Sequence, residues 1–462
     1  MGIASALPVT ICAALALLGC EVGCDGDRLP SPQPPRTPTS PANGDAATRR
    51  APEPVAEPVA GFLDAPAGSL DQLFERLDAA ERKQPGARAG IVVFGDSHTA
   101  GDSMTSRLRS AWQKRFGDAG RGLVAAGRPP AKHYYQRDVR YGASGSWKAA
   151  VGGKNGDVEP FGIGGIRTFG DKKGSQLWVE TCAECSSGTV VAQFEILYQA
   201  APDHGILRYR VDDGAWEELS TRTAAIEPPH PARQVIGVAK GPHKLTLEHG
   251  GGGRLDLFGV GMETLEPGVI VDSLGVVGRR LGSLRSWDWS IIGEQLATRD
   301  PRLVVLQYGT NEADDPDLKL EDLAKYYDET ILRIRAAVPT ASILILGPPD
   351  VGVREGGRAC DRMKPPKDGT VVTECEWRTP PVLTEIIAVQ HAAAARNKVA
   401  FFDTFSAMGG PDRMHGWVTA EPRTAFKDHV HFTDGGYQMW ADALSGALLS
   451  QYERWRKTKT PP

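Results

Sequence analysis

The sequence predicts an α/β protein whose parallel sheet is interrupted by a β-rich segment. Short, continuously apolar runs recur along the chain, and two of them lead through a turn into a helical pattern. Strands that alternate with helices favour a parallel sheet covered on both faces. Residues from about 121 to 264 break this rhythm, because short alternating strands and Gly-rich turns replace the strand–helix units there.

The first strand–turn–helix unit begins with a strand over residues 90–94, a continuous apolar run typical of a buried parallel strand. The strand leads into residues 95–98, Gly-Asp-Ser-His. Apolar residues then recur at helical spacing over residues 104–116, and Gly117 ends the pattern. The pattern therefore predicts a tight turn that carries Ser97 between a buried strand and a helix.

The second unit has a strand over residues 302–308, a turn over 309–312 (Gly-Thr-Asn-Glu) and a helix that ends before Pro339. Three further elements follow toward the C-terminus: strands over 342–347 and 399–403, and a last helix over 434–455. We expect the strands of both units to lie in one sheet.

The β-rich interruption contains several short strands. They are predicted over residues 176–180, 189–198, 207–211, 244–248 and 255–260. Short alternating strands with Gly-rich turns indicate a β-sandwich. The parallel sheet resumes at 268–273. The predicted body is therefore discontinuous, with residues 61–120 and 265–462 on either side of an insert over 121–264.

The N-terminus is predicted to be an export signal. Residues 1–19 contain an apolar stretch that is short for a membrane span and typical of a signal peptide. The stretch ends in Leu17-Leu18-Gly19-Cys20, which resembles a bacterial lipobox and so implies cleavage before Cys20, a lipid anchor there and a place in the cell envelope. A plain secretory signal and a misassigned start codon are alternatives, because residues 2–10 contain no Lys or Arg. The Pro-rich residues 20–60 are predicted to be a disordered tether.

Four of the seven cysteines form two local pairs in the sequence, Cys182 with Cys185 and Cys360 with Cys375. In an exported protein such pairs are most simply disulfides. A zinc site is an alternative, although no His lies at a ligand-like spacing beside either pair. A redox-active Cys-x-x-Cys is a further alternative for the first pair.

The charge balance argues against a nucleic-acid partner. The chain of 462 residues has 53 Lys and Arg against 57 Asp and Glu, a net charge of −4, whereas nucleic-acid binders normally show a basic stripe. Hydrophobic residues make up 41% and charged residues 24%, which is ordinary globular composition. The one long apolar run lies at the N-terminus, so a multi-span membrane protein is also excluded.

Ser97 is the candidate nucleophile, because it lies at the carboxyl end of a buried strand, where open α/β sheets place their ligands. A serine hydroxyl needs a base, and the base needs a carboxylate to orient it. Asp428 and His431 lie three residues apart before the last helix. This spacing predicts that Asp428 bonds one ring nitrogen of His431 while the other faces Ser97.

These motifs resemble the four sequence blocks of SGNH/GDSL hydrolases, in the same order. The blocks are residues 95–97 (Gly-Asp-Ser), 275–278 (Gly-Val-Val-Gly), 309–312 (Gly-Thr-Asn-Glu) and 428–431 (Asp-His-Val-His). The resemblance implies a flavodoxin-like three-layer sandwich with a parallel sheet. It also implies an oxyanion hole formed by the N–H groups of Ser97 and Gly278 and by the side chain of Asn311. Gly275 is a rival to Gly278.

A narrower resemblance, to peptidoglycan O-acetylesterases, rests on residues 95–102, on 116–120 and on the large insert between the first two blocks. It implies a serine esterase that removes O-acetyl groups from a cell-envelope polysaccharide, without metal or cofactor, and a carbohydrate-binding-like insert. An O-acetyltransferase with the same triad and an inactive carbohydrate-binding lipoprotein are the alternatives. Trp178, Tyr198 and Trp216 are candidates for a sugar-binding platform or for sandwich core.

Several nearby residues compete for the same roles. His429 lies two residues from His431, and His98 directly follows Ser97. Asp403 and Asp434 are alternative carboxylates for the triad. We expect His431 and Asp428, and we expect Asp434 to help cap the last helix.

Overall fold

The computed structural model describes residues 59–127, 132–152, 160–354 and 376–459. The predicted signal peptide, the Pro-rich tether, Cys20 and the Cys360–Cys375 pair lie outside the described residues. Within the described residues, no helix is both long enough and apolar enough to span a bilayer.

The elements are numbered in chain order. The strands are β1 (Leu63–Asp64), β2 (Arg88–Gly95), β3 (Gly120–Val124), β4 (Arg140–Ser144), β5 (Lys148–Val151), β6 (Ile166–Gly170), β7 (Gln176–Glu180), β8 (Val191–Ala200), β9 (Ile206–Val211), β10 (Glu217–Ser220), β11 (His230–Gly241), β12 (Lys244–Gly251), β13 (Leu255–Glu263), β14 (Gly268–Gly275), β15 (Pro301–Gln307), β16 (Ser342–Leu346), β17 (Val353–Arg354), β18 (Trp377–Arg378) and β19 (Ala400–Phe402). The α-helices are α1 (Asp71–Glu81), α2 (Ser97–Ala100), α3 (Ser103–Phe116), α4 (Ser283–Ser286), α5 (Trp289–Arg299), α6 (Leu320–Ala337), α7 (Pro381–Asn397), α8 (Thr404–Ala407), α9 (Met414–Thr419) and α10 (Asp434–Lys459).

The central sheet has the strand order β1-β19-β16-β15-β2-β14. The five strands from β19 to β14 are parallel, as predicted, and their order corresponds to the 2-1-3-4-5 order of flavodoxin-like sheets. The prediction of an all-parallel sheet is wrong at one edge, because β1 runs antiparallel to β19. An edge strand needs a partner on one side only, so this two-residue strand adds to the sheet without a crossover helix.

Helices cover both faces of the central sheet. Alternate side chains of β2 point to opposite faces, so Ile91 and Val93 belong to one buried cluster and Val92 and Phe94 to another. The first cluster includes side chains of α1, α3 and α10, and the second includes side chains of α5, α6 and α7. This three-layer arrangement brings the carboxyl ends of the parallel strands to one edge.

The β-rich segment consists of two antiparallel sheets. One has the order β10-β9-β12-β7-β4, and the other has the order β11-β8-β13-β6-β5, with β3 also paired to β13. Their facing apolar side chains form a shared buried cluster that includes Leu177, Phe194 and Leu247. The strands predicted in this segment are all present, with small shifts at their ends.

The β-rich segment also packs directly against the α/β body. Leu123, Leu197 and Phe258 from the segment belong to the same buried cluster as Val92 and Leu306 of the central sheet. The segment and the body are therefore continuous in their packing. The division of the chain into separate domains at residues 121 and 264 stays a prediction.

Buried charges reinforce this junction. The Arg299 guanidinium, at the end of α5, donates to Asp272 on β14 at 2.8 Å, to Glu263 on β13 at 2.7 Å and to Glu195 on β8 at 3.3 Å. All four side chains are largely buried. Because Glu195 and Glu263 belong to the β-rich segment, one cation holds elements of both parts together.

Candidate active site

Ser97 lies at the carboxyl end of β2 and begins the short helix α2. Asp96 caps this helix, since its side chain accepts a hydrogen bond from the His98 N–H at 2.9 Å. The helix lies directly against the neighbouring strand ends. A Cβ atom at Gly95 would collide with the Thr99 side chain, and one at Gly275 would collide with the backbone of Thr99 and Ala100. The two glycines therefore allow the close approach that fixes this turn.

The structure brings the three predicted triad side chains together. The His431 Nε2 atom lies 2.8 Å from the Ser97 Oγ atom, and the His431 Nδ1 atom lies 2.7 Å from Asp428 Oδ2. The other carboxylate oxygen, Oδ1, accepts the backbone N–H groups of Val430 and His431 at 3.0 Å. The loop that carries both residues is therefore held by the same carboxylate that meets the imidazole.

The electrostatics keep this carboxylate ionised. Burial raises the pKa of Asp428, but the hydrogen bonds from the His431 ring and from two backbone N–H groups outweigh it and lower the pKa to about 2. An ionised carboxylate is an acceptor only, so it selects the tautomer of His431 with the proton on Nδ1. The Nε2 lone pair then faces the Ser97 hydroxyl, which is the arrangement that removes a proton from a nucleophile.

The rival side chains are engaged elsewhere. The His429 ring contacts the Lys427 carbonyl and the His415 ring, each at 2.9 Å, and stacks on Trp377. Asp403 caps α8 by accepting the Ser406 N–H at 2.9 Å.

The remaining carboxylate, Asp434, lies in the first turn of α10, and its side chain accepts from Ser103 and Arg137. Of the carboxylates weighed as partners for His431, the structure therefore brings Asp428 to the ring.

The second and third blocks form two loops that bond to each other beyond the ends of β14 and β15. The Asn311 side chain donates to the Arg279 carbonyl at 3.0 Å, and Arg280 Nε donates to the Asn311 carbonyl at 3.0 Å. Asn311 thus lies beside the carbonyl group of Arg279, the residue after Gly278. The roles of Ser97, Gly278 and Asn311 in an oxyanion hole stay predictions.

The environments of the two rival glycines differ. Gly275 is enclosed against α2, whereas Gly278 has φ +70°, and a Cβ added there would meet no atom within 4 Å. A positive φ favours glycine, and the open space leaves room for a ligand. Open space therefore lies beside Gly278, whereas Gly275 is packed against α2, and which of the two supplies an oxyanion N–H stays a prediction.

Glu312 is a structural residue of the site that the sequence interpretation did not assign. Its buried carboxylate accepts the Leu281 N–H at 2.8 Å and the Gly309 N–H at 2.9 Å, so it joins the two loops. Burial raises the pKa of Glu312, although the backbone hydrogen bonds oppose the shift. The sequence shows Glu312 directly after Asn311, but it does not show that the side chain accepts the N–H groups of Leu281 and Gly309.

The predicted Cys182–Cys185 disulfide is present, in the loop between β7 and β8. Both cysteines, together with Glu184, form the one cluster among the described residues with the spacing of a metal site. The bonded sulfur atoms leave neither cysteine as a thiolate ligand.

The fold is an SGNH-type three-layer sandwich, and a serine, a histidine and an aspartate meet at the carboxyl edge of its sheet. Residues 250–439 match the model of the GDSL-like Lipase/Acylhydrolase family. Within these residues the chain is similar to the GDSL-like lipases and acylhydrolases. The matched residues contain the second, third and fourth sequence blocks, and Ser97 lies before them. A search of curated protein sequences gave no match.

Several solved structures match this chain. A peptidoglycan O-acetylesterase superposes with a TM-score of 0.68 at 24% sequence identity, covering 85% of this chain and 100% of that one. A family two carbohydrate esterase from Clostridium thermocellum, solved with cellohexaose, matches with a TM-score of 0.26 at 12% identity over 62% of this chain and 94% of its own. The acetyl xylan esterase AlAXEase matches with a TM-score of 0.27 at 15% identity over 39% and 80%.

Proposed function

We propose that this protein is a serine esterase that removes O-acetyl groups from a cell-envelope polysaccharide resembling peptidoglycan. The observation that carries the proposal is the alignment of three side chains, with Ser97 Oγ at 2.8 Å from His431 Nε2 and Asp428 at 2.7 Å from His431 Nδ1. This arrangement activates a serine for attack on an ester carbonyl. The likeness to a peptidoglycan O-acetylesterase over the whole length of that chain supports the substrate class.

The proposed reaction has two halves. Ser97 Oγ attacks the acetyl carbonyl while His431 Nε2 takes the hydroxyl proton, and the resulting tetrahedral oxyanion is stabilised by the Ser97 N–H, the Gly278 N–H and Asn311 Nδ2. His431 then gives the proton to the sugar oxygen as it leaves. His431 removes a proton from water as the water attacks acetyl-Ser97, the bond between the acyl carbon and Ser97 Oγ breaks, His431 returns the proton to Oγ, and acetate leaves. Asp428 stays ionised throughout and stabilises the protonated imidazole.

The first test is hydrolysis of p-nitrophenyl acetate. We expect the wild type to cleave this ester and Ser97→Ala to lose nearly all of that activity, by a factor of about 10⁶ for a nucleophile removed from a triad. Ser106→Ala, on the neighbouring helix α3, is a matched control that should keep full activity. A Ser97→Ala variant as active as the wild type would overturn the proposal.

The substrate class has its own test. We expect purified enzyme to release acetate faster from O-acetylated peptidoglycan than from acetylated xylan. Adding a glycan acceptor distinguishes the transferase alternative, in which acetylated acceptor replaces free acetate as the product. Equal rates on both polymers would contradict the proposed preference.

We also propose that the β-rich segment is a carbohydrate-binding insert, with Trp178 and Trp216 on the outer face of its five-stranded sheet. The Trp178 indole lies across Gly142, where a Cβ would collide with the ring. Trp178 is paired with Thr246, which is paired with Arg210, and Trp216 lies over the Arg208 and Arg210 guanidiniums at 4.9 and 4.8 Å. Aromatic rings beside hydrogen-bonding side chains suit the faces and hydroxyls of sugars.

The third candidate for this platform, Tyr198, lies in the apolar core between the two sheets. We expect a Trp178→Ala/Trp216→Ala double variant to lose binding to insoluble peptidoglycan while it keeps p-nitrophenyl acetate activity. Trp289→Ala, on α5, is the matched control. Unchanged polymer binding by the double variant would contradict this role.

Export and lipidation at Cys20 are proposed from the sequence. We expect cells that express the full chain to incorporate labelled palmitate into the wild type and not into Cys20→Ala. Label in both proteins would contradict anchoring at this residue.

A further inference from the structure

His98, which directly follows Ser97, is a buried polar residue without a part in the triad. Its side chain is 0% exposed, and its Nδ1 atom lies 3.0 Å from the Tyr437 hydroxyl oxygen. Aromatic rings surround it, with centroids at 5.8 Å for Phe432, 5.9 Å for Tyr437 and 5.5 Å for Trp440. The His431 ring itself lies at 5.3 Å.

This contact joins two distant segments of the chain. His98 follows the nucleophile, and Tyr437 lies 339 residues further on, in the first turns of the helix that follows the base loop. The Tyr437 ring also packs at 5.4 Å against Phe432, the residue next to His431. One hydrogen bond, between His98 and Tyr437, and one packed ring, that of Tyr437 on Phe432, thus link the nucleophile turn to the loop that carries His431.

We propose that His98 and Tyr437 are positioning residues that hold the His431 imidazole in register with Ser97. The proposal rests on the proposed function, in which His431 is the general base. Asp428 fixes one edge of the imidazole through Nδ1, and the His98 ring, itself held by Tyr437, supports its flank. A base displaced by about 1 Å loses up to 100-fold in rate, so a rigid support behind it matters for catalysis.

The environment explains why a histidine can serve here. Burial, reinforced by the nearby His431, lowers the pKa of His98 well below its ordinary value, so the ring stays neutral. A neutral ring does not repel His431 when that residue takes up the serine proton. A buried imidazole is costly unless it is hydrogen-bonded, and Tyr437 supplies that bond at Nδ1, while Nε2 is buried with no hydrogen-bond partner among the described residues.

The experiment compares His98→Asn with His98→Leu, two side chains of similar shape that differ in polar atoms. Asn places its side-chain amide close to the position of the His98 Nδ1 atom and can form a hydrogen bond with the Tyr437 hydroxyl, whereas Leu cannot. With p-nitrophenyl acetate we expect His98→Leu and Tyr437→Phe to lower kcat by about 10- to 100-fold with KM unchanged. We expect His98→Asn to recover most of the activity.

Tyr452→Phe is the matched control, because Tyr452 is also buried on α10 and its hydroxyl bonds Glu81 far along the helix. We expect this variant to change thermal stability without changing kcat. Wild-type kcat in Tyr437→Phe, or His98→Asn no better than His98→Leu at equal stability, would overturn the positioning role.

A second measurement separates this proposal from the proposed function. Proton NMR observes the His431 Nδ1–H in its bond to Asp428 whether or not an ester is cleaved. We expect a slowly exchanging resonance in the wild type, in Tyr452→Phe and in His98→Asn, and a rapidly exchanging one in Tyr437→Phe and His98→Leu. An inactive wild type with this pattern would overturn the esterase function alone, and equal exchange in all variants would overturn the positioning role.

Discussion

At the scale of single residues, one carboxylate bonds both the His431 ring and the loop that carries it. Asp428 bonds the imidazole and the two backbone N–H groups of its own loop, and its lowered pKa of about 2 keeps it ionised at every pH at which an esterase is assayed. Asp428→Asn can reproduce the size of this side chain but allows the wrong histidine tautomer. We expect kcat to fall by about 10⁴-fold with p-nitrophenyl acetate.

The control for this substitution is Asp403→Asn, which alters the rival carboxylate that caps α8. We expect little loss of stability, because Asn caps a helix about as well as Asp, and an unchanged kcat. If Asp403→Asn lowered kcat as much as Asp428→Asn, the assignment of the carboxylate would be wrong.

The raised pKa of Asp96 predicts how the stability of the folded protein changes with pH. Burial raises its pKa from 3.8 to about 7, with the nearby Glu312 adding to the shift and the His98 N–H opposing it. The folded protein therefore keeps a proton that the unfolded chain releases at lower pH, so this residue's contribution to stability is lost as the pH rises from about 4 to about 7. Asp96→Asn mimics the protonated form and should flatten that decline.

The measurement is the melting temperature across this pH range. Glu294→Gln, on the exposed side of α5, is the control and should follow the wild type. A decline in Asp96→Asn as steep as that in the wild type would show that Asp96 does not carry the effect.

Residue identities at the site were more predictable than residue contacts. Short motifs predicted that Ser97, Asp428 and His431 lie together, because a strand–turn–helix and a loop before a helix place side chains at a sheet edge, and the structure brings the three side chains into contact. The His98–Tyr437 bond spans 339 positions, and nothing local to either residue indicates it. Burial and long-range partners are properties of the folded chain.

At the scale of elements, β14 packs closely against α2. This contact determines where the second sequence block, residues 275–278, lies relative to the turn that carries Ser97. We expect Gly275→Ala to be strongly destabilising, because its Cβ would collide with the backbone of Thr99 and Ala100. Gly278→Ala meets no atom, so its cost should be about 1–2 kcal/mol, from the positive φ. Urea unfolding of both variants measures the difference, and equal stability would contradict the close packing inferred here.

The central strands were predicted within one or two residues, because a strand buried on both faces is continuously apolar. β11 was missed, although it is the longest strand described. It lies at the edge of its sheet and pairs with β8 alone, so Pro231 and alternating exposed residues are tolerated within it. Edge strands carry weaker sequence signals than buried ones.

At the scale of the whole molecule, the β-rich segment and the α/β body share a core. Arg299 forms ion pairs with the buried carboxylates of Glu195, Glu263 and Asp272, and replacing it removes all of these ion pairs at once. We expect Arg299→Met to destabilise the protein by about 3–5 kcal/mol and to keep a single thermal transition, because both parts lose support together. Calorimetry of the purified protein measures both quantities.

Arg285→Met removes a half-exposed ion pair with Glu329 and serves as the control. Its cost should stay within about 1 kcal/mol. Two separate transitions in Arg299→Met, with one unshifted, would show that the segment and the body unfold independently. The sequence predicted the segment's position and β character, but its packing against the body depends on pairs of residues far apart in the chain.

The interrupted sheet has a consequence for synthesis on the ribosome. β2 lies between β14 and β15, so both neighbours of the strand that leads to Ser97 emerge about 170 residues or more after it. Until then an apolar strand presents two open edges, a state prone to pairing with other chains. Strand β2 therefore stays unpaired while the β-rich segment is still being made. We expect slow translation or loss of a chaperone to lower the yield of folded protein without changing the stability of the protein that has folded.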